Sequence, residues 1–291
     1  MLRLLLGACV SLALTTPVSA AECTRAFLKE AADKYTAAIA TAGAVATLST
    51  LSENVDYSEN DKKIAIKSGI LASGIKCDNT RNTYDTTQCA TFTELICPNN
   101  PKPYVVASQV RYTDGKITKI ESIITTTGDW LFNAKDTLKY AQAEKWDEIP
   151  EAKRDTRAVI QHAGDAYADV FSNKSTVVPW GTPCARLEGG MYTGKNSPTD
   201  SCNVGVPSGV SLTKRRYVID EVLGTVDLMM SFASLPDSHE FRVEGGKLRY
   251  VHTLTVMSGS TRSGGGAAAG APRGGGAGGM AGGMTGTAFR A

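Results

Sequence analysis

Three ionisable residues on predicted strands are the first candidates for chemistry in this chain. Side chains alternate between the two faces of a strand, so His252 in GKLRYVHTLTV (246–256) shares an otherwise apolar face with Leu254. Asp220 and His239 occupy similar apolar rows on neighbouring predicted strands. Burying such groups is costly unless they are paired. The pattern therefore predicts that they converge in the interior of the second half of the chain.

An Asp–His pair in a dry pocket can carry out general acid–base catalysis. We expect Asp220 to orient the imidazole of His252, which would move a proton on a small apolar carbonyl compound, with His239 nearby. Tyr250 and Tyr217 are candidates to donate hydrogen bonds to the developing enolate oxygen. This chemistry needs no cofactor. The alternative is that His252 and Asp220 form a purely structural hydrogen bond.

Two further residues are candidates for substrate binding. In CARLEGGMYTG, Arg186 precedes a Gly-Gly pair and is placed to hold a carboxylate beside the pocket, unless it pairs with Glu188 to fix a disulfide-closed loop. Trp180 is expected at the pocket rim or in the core. The G-x-x-x-x-G-K pattern of residues 189–195 is not a nucleotide loop, because Asn196 replaces the required Ser or Thr.

The elements that position these residues occur twice. TRAFLKEAADKYTAAI (24–39) matches TRAVIQHAGDAYADVF (156–171), and both have the apolar spacing of a helix. YTDGKITKIESIITTTG (112–128) aligns in the same way with VEGGKLRYVHTLTVMSG (243–259), and the Asp-Gly and Gly-Gly pairs predict β-hairpins. Two matches in one order and at nearly one offset predict an internal duplication.

We therefore predict an α+β fold of two tandem repeats, residues 21–130 and 151–257, each with an N-terminal helix and a curved antiparallel sheet. Residues 131–150 are predicted to form a connecting helix. Residues 1–20 have the features of a secretory signal peptide, and the Gly-rich residues 258–291 are predicted to be disordered.

The composition favours a secreted product that does not bind nucleic acid. The 291-residue chain carries 31 basic and 29 acidic residues, and the four basic residues of the signal and tail are not balanced there by any acid. The remaining slight acidity gives no basis for binding nucleic acid. The Arg/Gly tail is either inert or a weak binder of polyanions. Beyond the signal peptide no apolar run is long enough to span a membrane.

Six cysteines remain after the signal peptide, and an even number in an exported chain predicts three disulfides. Proximity in sequence favours Cys184 with Cys202 and Cys89 with Cys97, which leaves Cys23 with Cys77, although other pairings stay open. Neither a C-x-x-C motif nor a pair of histidines at metal-ligand spacing occurs, so no metal site is predicted. Asn173 begins the one N-glycosylation sequon.

This order of elements is similar to the cone-shaped α+β fold shared by nuclear transport factor 2, ketosteroid isomerase and the SnoaL-like polyketide cyclases. Four segments of the second half resemble the C-terminal half of a fungal secreted family of undefined function. They are PWGTPCARLEGGMYTG (179–194), NVGVPSG (203–209), RRYVIDE (215–221) and PDSHEFRVEGGKLRYVHTLTV (236–256). The resemblance implies an apolar pocket in each cone. It also implies relatives of two kinds: isomerases, cyclases or dehydratases that act in secondary metabolism, and proteins that only bind ligands.

Two functions follow as expectations. The first is a secreted, cofactor-independent isomerase, cyclase or dehydratase that acts on a small, polyketide-like carbonyl compound. The second is a non-catalytic secreted carrier or interaction protein of the same fold. In the first repeat Glu121 aligns with His252, so a divergent pocket with Glu121 and Asp85 is a further alternative. A small apolar organic ligand is the expected partner, and the fold leaves room for a homodimer formed through exposed sheet faces.

Overall fold

The computed structural model describes residues 23–257, so the predicted signal peptide and Gly-rich tail lie outside the described residues. This part of the chain is an α+β structure with two six-stranded sheets. None of its helices has the length and apolar character needed to cross a membrane.

The first half begins with helix α1 (Arg25–Ile39), which is followed by the first sheet. Its strands are β1 (Leu51–Glu59), β2 (Lys62–Lys63), β3 (Asn79–Asp85), β4 (Ala90–Cys97), β5 (Tyr104–Thr113) and β6 (Lys116–Thr125). Their spatial order is β2-β1-β6-β5-β4-β3, with β1 parallel to β6 and the other pairs antiparallel.

The second half has the same topology. After helix α2 (Ala134–Ala143), helix α3 (Arg157–Asp169) precedes the second sheet. Its strands are β7 (Trp180–Glu188), β8 (Met191–Tyr192), β9 (Leu212–Asp220), β10 (Thr225–Phe232), β11 (Leu235–Glu244) and β12 (Lys247–Thr255). The order β8-β7-β12-β11-β10-β9 repeats that of the first sheet, with β7 parallel to β12. We call the two halves the first and second repeat.

The residues shared by the two repeats have local structural roles. Thr24 and Thr156 cap α1 and α3, because each side-chain oxygen accepts a hydrogen bond from a backbone N–H of the first turn. The predicted hairpins β5–β6 and β11–β12 are confirmed. Both central residues of each turn have positive φ, including 49° at Asp114 and 58° at Gly245, as a tight hairpin requires.

Residues 23–257 form three apolar cores. In each repeat the helix packs on one face of its own sheet, around Tyr35 in the first repeat and Tyr167 in the second. The third core lies between the opposite faces of the two sheets and includes Phe92, Val218 and Leu254. The two sheets therefore cover one another within a single chain. A homodimer through sheet faces stays a prediction.

The connection between the repeats is less helical than predicted. Helix α2 begins after the N-cap Asn133 and ends at Ala143, where Glu144 becomes extended. The rest of the predicted helix, up to Pro150, is not helical. This extended stretch carries Glu144 and Trp146 into the boundary between the repeats, where both contact His252.

The disulfides correct two of the three predicted pairings. Cys184–Cys202 is confirmed, whereas the other bonds are Cys23–Cys89 and Cys77–Cys97. Cys89 and Cys97 lie at opposite ends of β4, about 26 Å apart for an extended strand of that length, and cannot be bridged. The antiparallel pairing of β3 with β4 instead places Cys77 beside Cys97.

Candidate functional site

His252 faces the other repeat and not the helix of its own. On β12, Leu248 and Val251 belong to the core under α3, whereas Leu254 belongs to the core between the sheets. A β-bulge beside Leu248 and Tyr250 shifts the alternation. The predicted single apolar face of residues 246–256 is therefore wrong, because the row changes faces at the bulge.

Both ring nitrogens of His252 are occupied by carboxylates. Nδ1 lies 2.8 Å from Oε1 of Glu94, which belongs to the first repeat, and Nε2 lies 2.6 Å from Oε2 of Glu144 in the connection. The ring is 2% exposed and meets the edge of Trp146. Neither nitrogen is free to reach a substrate.

Arg81 completes this cluster from strand β3. Its Nη2 donates to Glu94 at 2.8 Å and to Glu240 of the second repeat, and its guanidinium lies 3.5 Å from the ring centre of Trp146. Ligand atoms of Glu94, Glu240 and His252 lie within 4.8 Å of one another, close enough for a metal ion. The guanidinium occupies the position at which such a cation would bind both carboxylates.

The charges of the cluster compensate one another. Burial lowers the pKa of His252, but the carboxylates of Glu94 and Glu144 outweigh it and raise the pKa to about 10. Burial raises the pKa of Glu94, yet His252 and Arg81 bring it below its usual value. Burial and the neighbouring Glu94 charge raise the pKa of Glu240. His252 is thus an imidazolium held by two carboxylates, which is a poor base at neutral pH.

Asp220 does not orient His252. Its Oδ1 accepts a hydrogen bond of 2.7 Å from Nη1 of Arg25, at the start of α1 in the first repeat. Reciprocally, Asp85 of the first repeat accepts two hydrogen bonds, of 2.8 and 2.7 Å, from Arg157 of α3. A single alternation through the turn at 221–224 predicts one face for Asp220 and Val226, but the turn leaves Asp220 on the face between the sheets and Val226 on the face under α3.

The alternative pocket with Glu121 and Asp85 does not form either. Glu121 lies between the two sheets, 3.0 Å from Nε of Arg216 and 2.9 Å from Nζ of Lys119. Asp85 is held by Arg157, as described above. Both residues therefore join the repeats.

His239 lies in the interior of the second repeat, apart from His252. Its Nδ1 is 2.6 Å from Oδ2 of Asp237, and its ring lies 5.5 Å from the ring of Tyr167 on α3. His239 is 3% exposed, and the ring of Phe241 lies 6.0 Å from its ring and 5.0 Å from that of Tyr167. The convergence expected for His239, Asp220 and His252 is absent from the described residues, because Asp220 and His252 face the other sheet.

The three predicted substrate contacts are also separate. Arg186 is buried and lies 3.1 Å from Glu188 inside the loop closed by Cys184–Cys202, which agrees with the alternative interpretation, and it donates to the carbonyl of Val204 just beyond that loop. Trp180 packs its edge against Tyr167. The hydroxyl of Tyr217 donates to Asp165 at 2.7 Å. Asn173 is exposed, and its glycosylation stays a prediction.

An open cleft of about 650 Å³ lies between the C-terminal half of α2, strands β7, β8 and β12, and the loop that follows β8. We call it the tyrosine cleft. Three aromatic and three basic residues line it, together with small and polar residues: Tyr140, Tyr192, Tyr250, Lys139, Lys145, Arg249, Ala143, Pro183, Ala185, Gly194, Asn196, Ser197, Pro198 and Asp200. Tyr250 is the only predicted site residue among them. The adjacent basic–aromatic pairs Lys139-Tyr140 and Arg249-Tyr250 are the signal that the sequence offered for this site.

The aromatic rings of the tyrosine cleft are held in fixed positions. Tyr140 and Tyr192 stack with their ring centres 4.6 Å apart, across the contact between α2 and β8. Tyr250 is buried and lies 5.6 Å from Trp146, which adjoins His252. Burial and the nearby Glu144 charge raise the pKa of Tyr192, so its hydroxyl stays protonated. The cleft therefore offers flat apolar surfaces and phenol groups beside the closed ionic cluster.

Comparison with protein families gives a match to the second repeat. A family described as a domain of unknown function (DUF8021) matches residues 153–255, the span from α3 to β12. No curated protein and no solved structure matches the chain. The matched span contains His252, Tyr192 and Arg249, whereas Tyr140 and Lys139 of the tyrosine cleft precede it.

Proposed function

We propose that this protein is a secreted, non-catalytic carrier that binds a small organic molecule in the tyrosine cleft. The cleft itself is the observation that carries the proposal. Its volume of about 650 Å³ lies in the usual range for small-molecule sites, and it combines three aromatic side chains with charged and polar groups. The three disulfides favour an exported protein.

The fold is proposed to be a fusion of two cone-like repeats of the nuclear transport factor 2 and SnoaL type. A helix packed on one face of a six-stranded sheet in each repeat supports this assignment. The opposite sheet faces pack on each other, so one chain would contain the equivalent of a dimer.

The candidate catalytic groups favour the carrier over an isomerase or cyclase. A general base needs a nitrogen or oxygen within hydrogen-bond reach of the substrate. The nitrogens of His252 are bonded to Glu94 and Glu144, and His239 is packed under Tyr167. Of the proposed catalytic residues, only Tyr250 lines the cleft.

The test is mass spectrometry of small molecules that co-purify with the secreted protein from its native host. A carrier should release a bound organic compound on denaturation, in near-equal molar amount. The double variant Tyr140→Ala/Tyr192→Ala should lose the compound and keep the fold. Tyr104→Ala is the matched control, because Tyr104 is a half-buried tyrosine of the first repeat, outside the cleft.

Two results would overturn the proposal that the protein is a carrier. One is a protein that co-purifies with nothing and binds no component of the host's culture extract. The other is turnover of the bound compound by the wild-type protein, since an enzyme of the isomerase or cyclase type would then be the better account.

A further inference from the structure

We infer that the ligand of the tyrosine cleft is an aromatic carboxylate, a flat aromatic molecule with one carboxylate group. This inference rests on the proposed function and adds the chemical class of the ligand. Its basis is the combination of unpaired cations and ordered aromatic rings in one cleft.

The cleft has an excess of positive charge. Lys139, Lys145 and Arg249 line it, and between residues 23 and 257 none of the three forms an ion pair with a carboxylate. Asp200 is the acidic residue of the lining, and its Oδ2 already accepts hydrogen bonds of 2.7 and 3.1 Å from the backbone N–H groups of Lys195 and Ser197. The cations are therefore available to an anion from outside.

Arg249 has the best geometry for this anion. Its guanidinium carbon lies 4.1 Å from the ring centre of Tyr250, so the planar group is supported on an aromatic face. A supported guanidinium can present two parallel N–H donors to one carboxylate, which a lysine cannot do. Lys139 lies 4.9 Å from the ring centre of Tyr140 on the opposite wall and adds a second positive charge.

The aromatic walls select the rest of the molecule. The stack of Tyr140 on Tyr192 is nearly parallel, with an angle of 11° between the rings, and both tyrosines line the cleft. Aromatic rings prefer offset stacking or edge contacts with other rings. A sugar would also fit such walls, but a neutral sugar would not use the unpaired cations.

Isothermal titration calorimetry with 2-naphthoate tests the inference, with 2-naphthamide as the neutral ligand of the same shape. We expect 2-naphthoate to bind about tenfold more tightly than the amide at low ionic strength, and this preference should shrink as salt screens the charges. Arg249→Gln should weaken 2-naphthoate about tenfold and change the amide little. Lys247→Gln is the matched control, because Lys247 is exposed on the same strand but lies outside the cleft.

The outcomes distinguish a failure of the inferred ligand class from a failure of the proposed carrier function. Equal affinity for 2-naphthoate and 2-naphthamide, or preferential binding of a neutral sugar, overturns the anionic class and leaves the carrier intact. Absence of 2-naphthoate binding at millimolar concentration also overturns the inference. Tight binding that Tyr192→Ala does not weaken would place the ligand elsewhere and count against both.

Discussion

His252 of the second repeat donates a hydrogen bond from Nδ1 to Oε1 of Glu94 in the first repeat, at 2.8 Å. Because the imidazole is charged, Nε2 also donates, to Glu144 of the connection. One side chain thus joins the two repeats and the segment between them. The residue that the sequence singles out for catalysis is the centre of the contact that holds the repeats together.

Replacing His252 should therefore destabilise the fold. His252→Gln leaves Glu144 buried without its ion-pair partner and leaves Glu94 paired with Arg81 alone, and breaking a buried pair costs about 3–5 kcal/mol. Urea denaturation at pH 7 should show this loss in the free energy of unfolding. His162→Gln is the control, because His162 is exposed on α3 and its replacement should change the stability by less than about 0.5 kcal/mol.

A double-mutant cycle with Glu94→Gln separates this contact from simple packing. The two residues share one buried hydrogen bond, so the loss in the double variant should be smaller than the sum of the single losses. Strictly additive effects would show that the pair does not tie the repeats together.

Asp227 makes the stability depend on pH in the opposite way to an ordinary salt bridge. It is 1% exposed between the sheets, where Oδ2 accepts from Gln109 at 2.6 Å and Oδ1 accepts from Ser238 at 2.7 Å. Burial raises its pKa to about 7, against the effect of these two hydrogen bonds. The protonated form is thus favoured by folding, and its contribution to stability is present below the unfolded pKa of about 4 and lost as the pH rises through 7.

We expect the Asp227→Asn variant to remove this dependence. Relative to the variant, the wild type should lose up to about 4 kcal/mol of unfolding free energy between pH 4 and pH 8. Denaturant titrations across that range measure the difference. A pH-independent difference between the wild type and Asp227→Asn would mean that the pKa of Asp227 is the same in the folded and unfolded states.

Local signals in the sequence predicted local structure correctly. Thr24 and Thr156 cap helices, and the Asp-Gly and Gly-Gly pairs form hairpins, because these features depend on residues within one turn of each other. The repeated Arg next to each Thr had no local explanation. In the structure Arg25 and Arg157 each bind an aspartate of the other repeat. The identical arginines are thus explained by contacts between residues that lie more than 70 positions apart in sequence.

The positions of the candidate site residues depend on features that the alternation of side chains along a strand does not reveal. One bulge beside Leu248 places His252 on the face between the sheets. The turn after Asp220 leaves the Asp220 carboxylate on that face too, whereas the alternation predicted the opposite face. A change of one residue in register exchanges the faces of a whole strand. The tyrosine cleft was missed because Tyr140 and Tyr192 are brought together by the docking of α2, which no periodic pattern encodes.

The disulfides give a direct test of the topology. Proteolysis without reduction should yield the linked peptides Cys23–Cys89, Cys77–Cys97 and Cys184–Cys202. Cys23–Cys89 spans 66 residues and Cys184–Cys202 spans 18, so loop-closure entropy predicts stabilisation of about 4 and about 3 kcal/mol. Paired Cys→Ala variants should follow this order in denaturant. A linked Cys89–Cys97 peptide would contradict the pairing of β3 with β4.

The tyrosine cleft should depend on a close contact at Gly190. The backbone N–H of Gly190 donates to Leu131 at 2.9 Å, and a Cβ on Gly190 would lie 2.4 Å from the Cβ of Asn133, the N-cap of α2. Gly190→Ala should push the start of α2 away from the β7–β8 turn and cost about 1–3 kcal/mol of stability. Because α2 carries Tyr140, the affinity for the cleft ligand should fall as well.

Gly43→Ala separates the effect on α2 from general destabilisation. Gly43 has a φ of 78° and open space around its Cβ position, so alanine there costs backbone strain of about 1 kcal/mol in the first repeat, away from the cleft. Calorimetric titration of both variants with 2-naphthoate should show weaker binding in Gly190→Ala only. Unchanged binding in Gly190→Ala would mean that the cleft does not depend on the seating of α2, and the ligand would then be held by the β7 and β12 side alone.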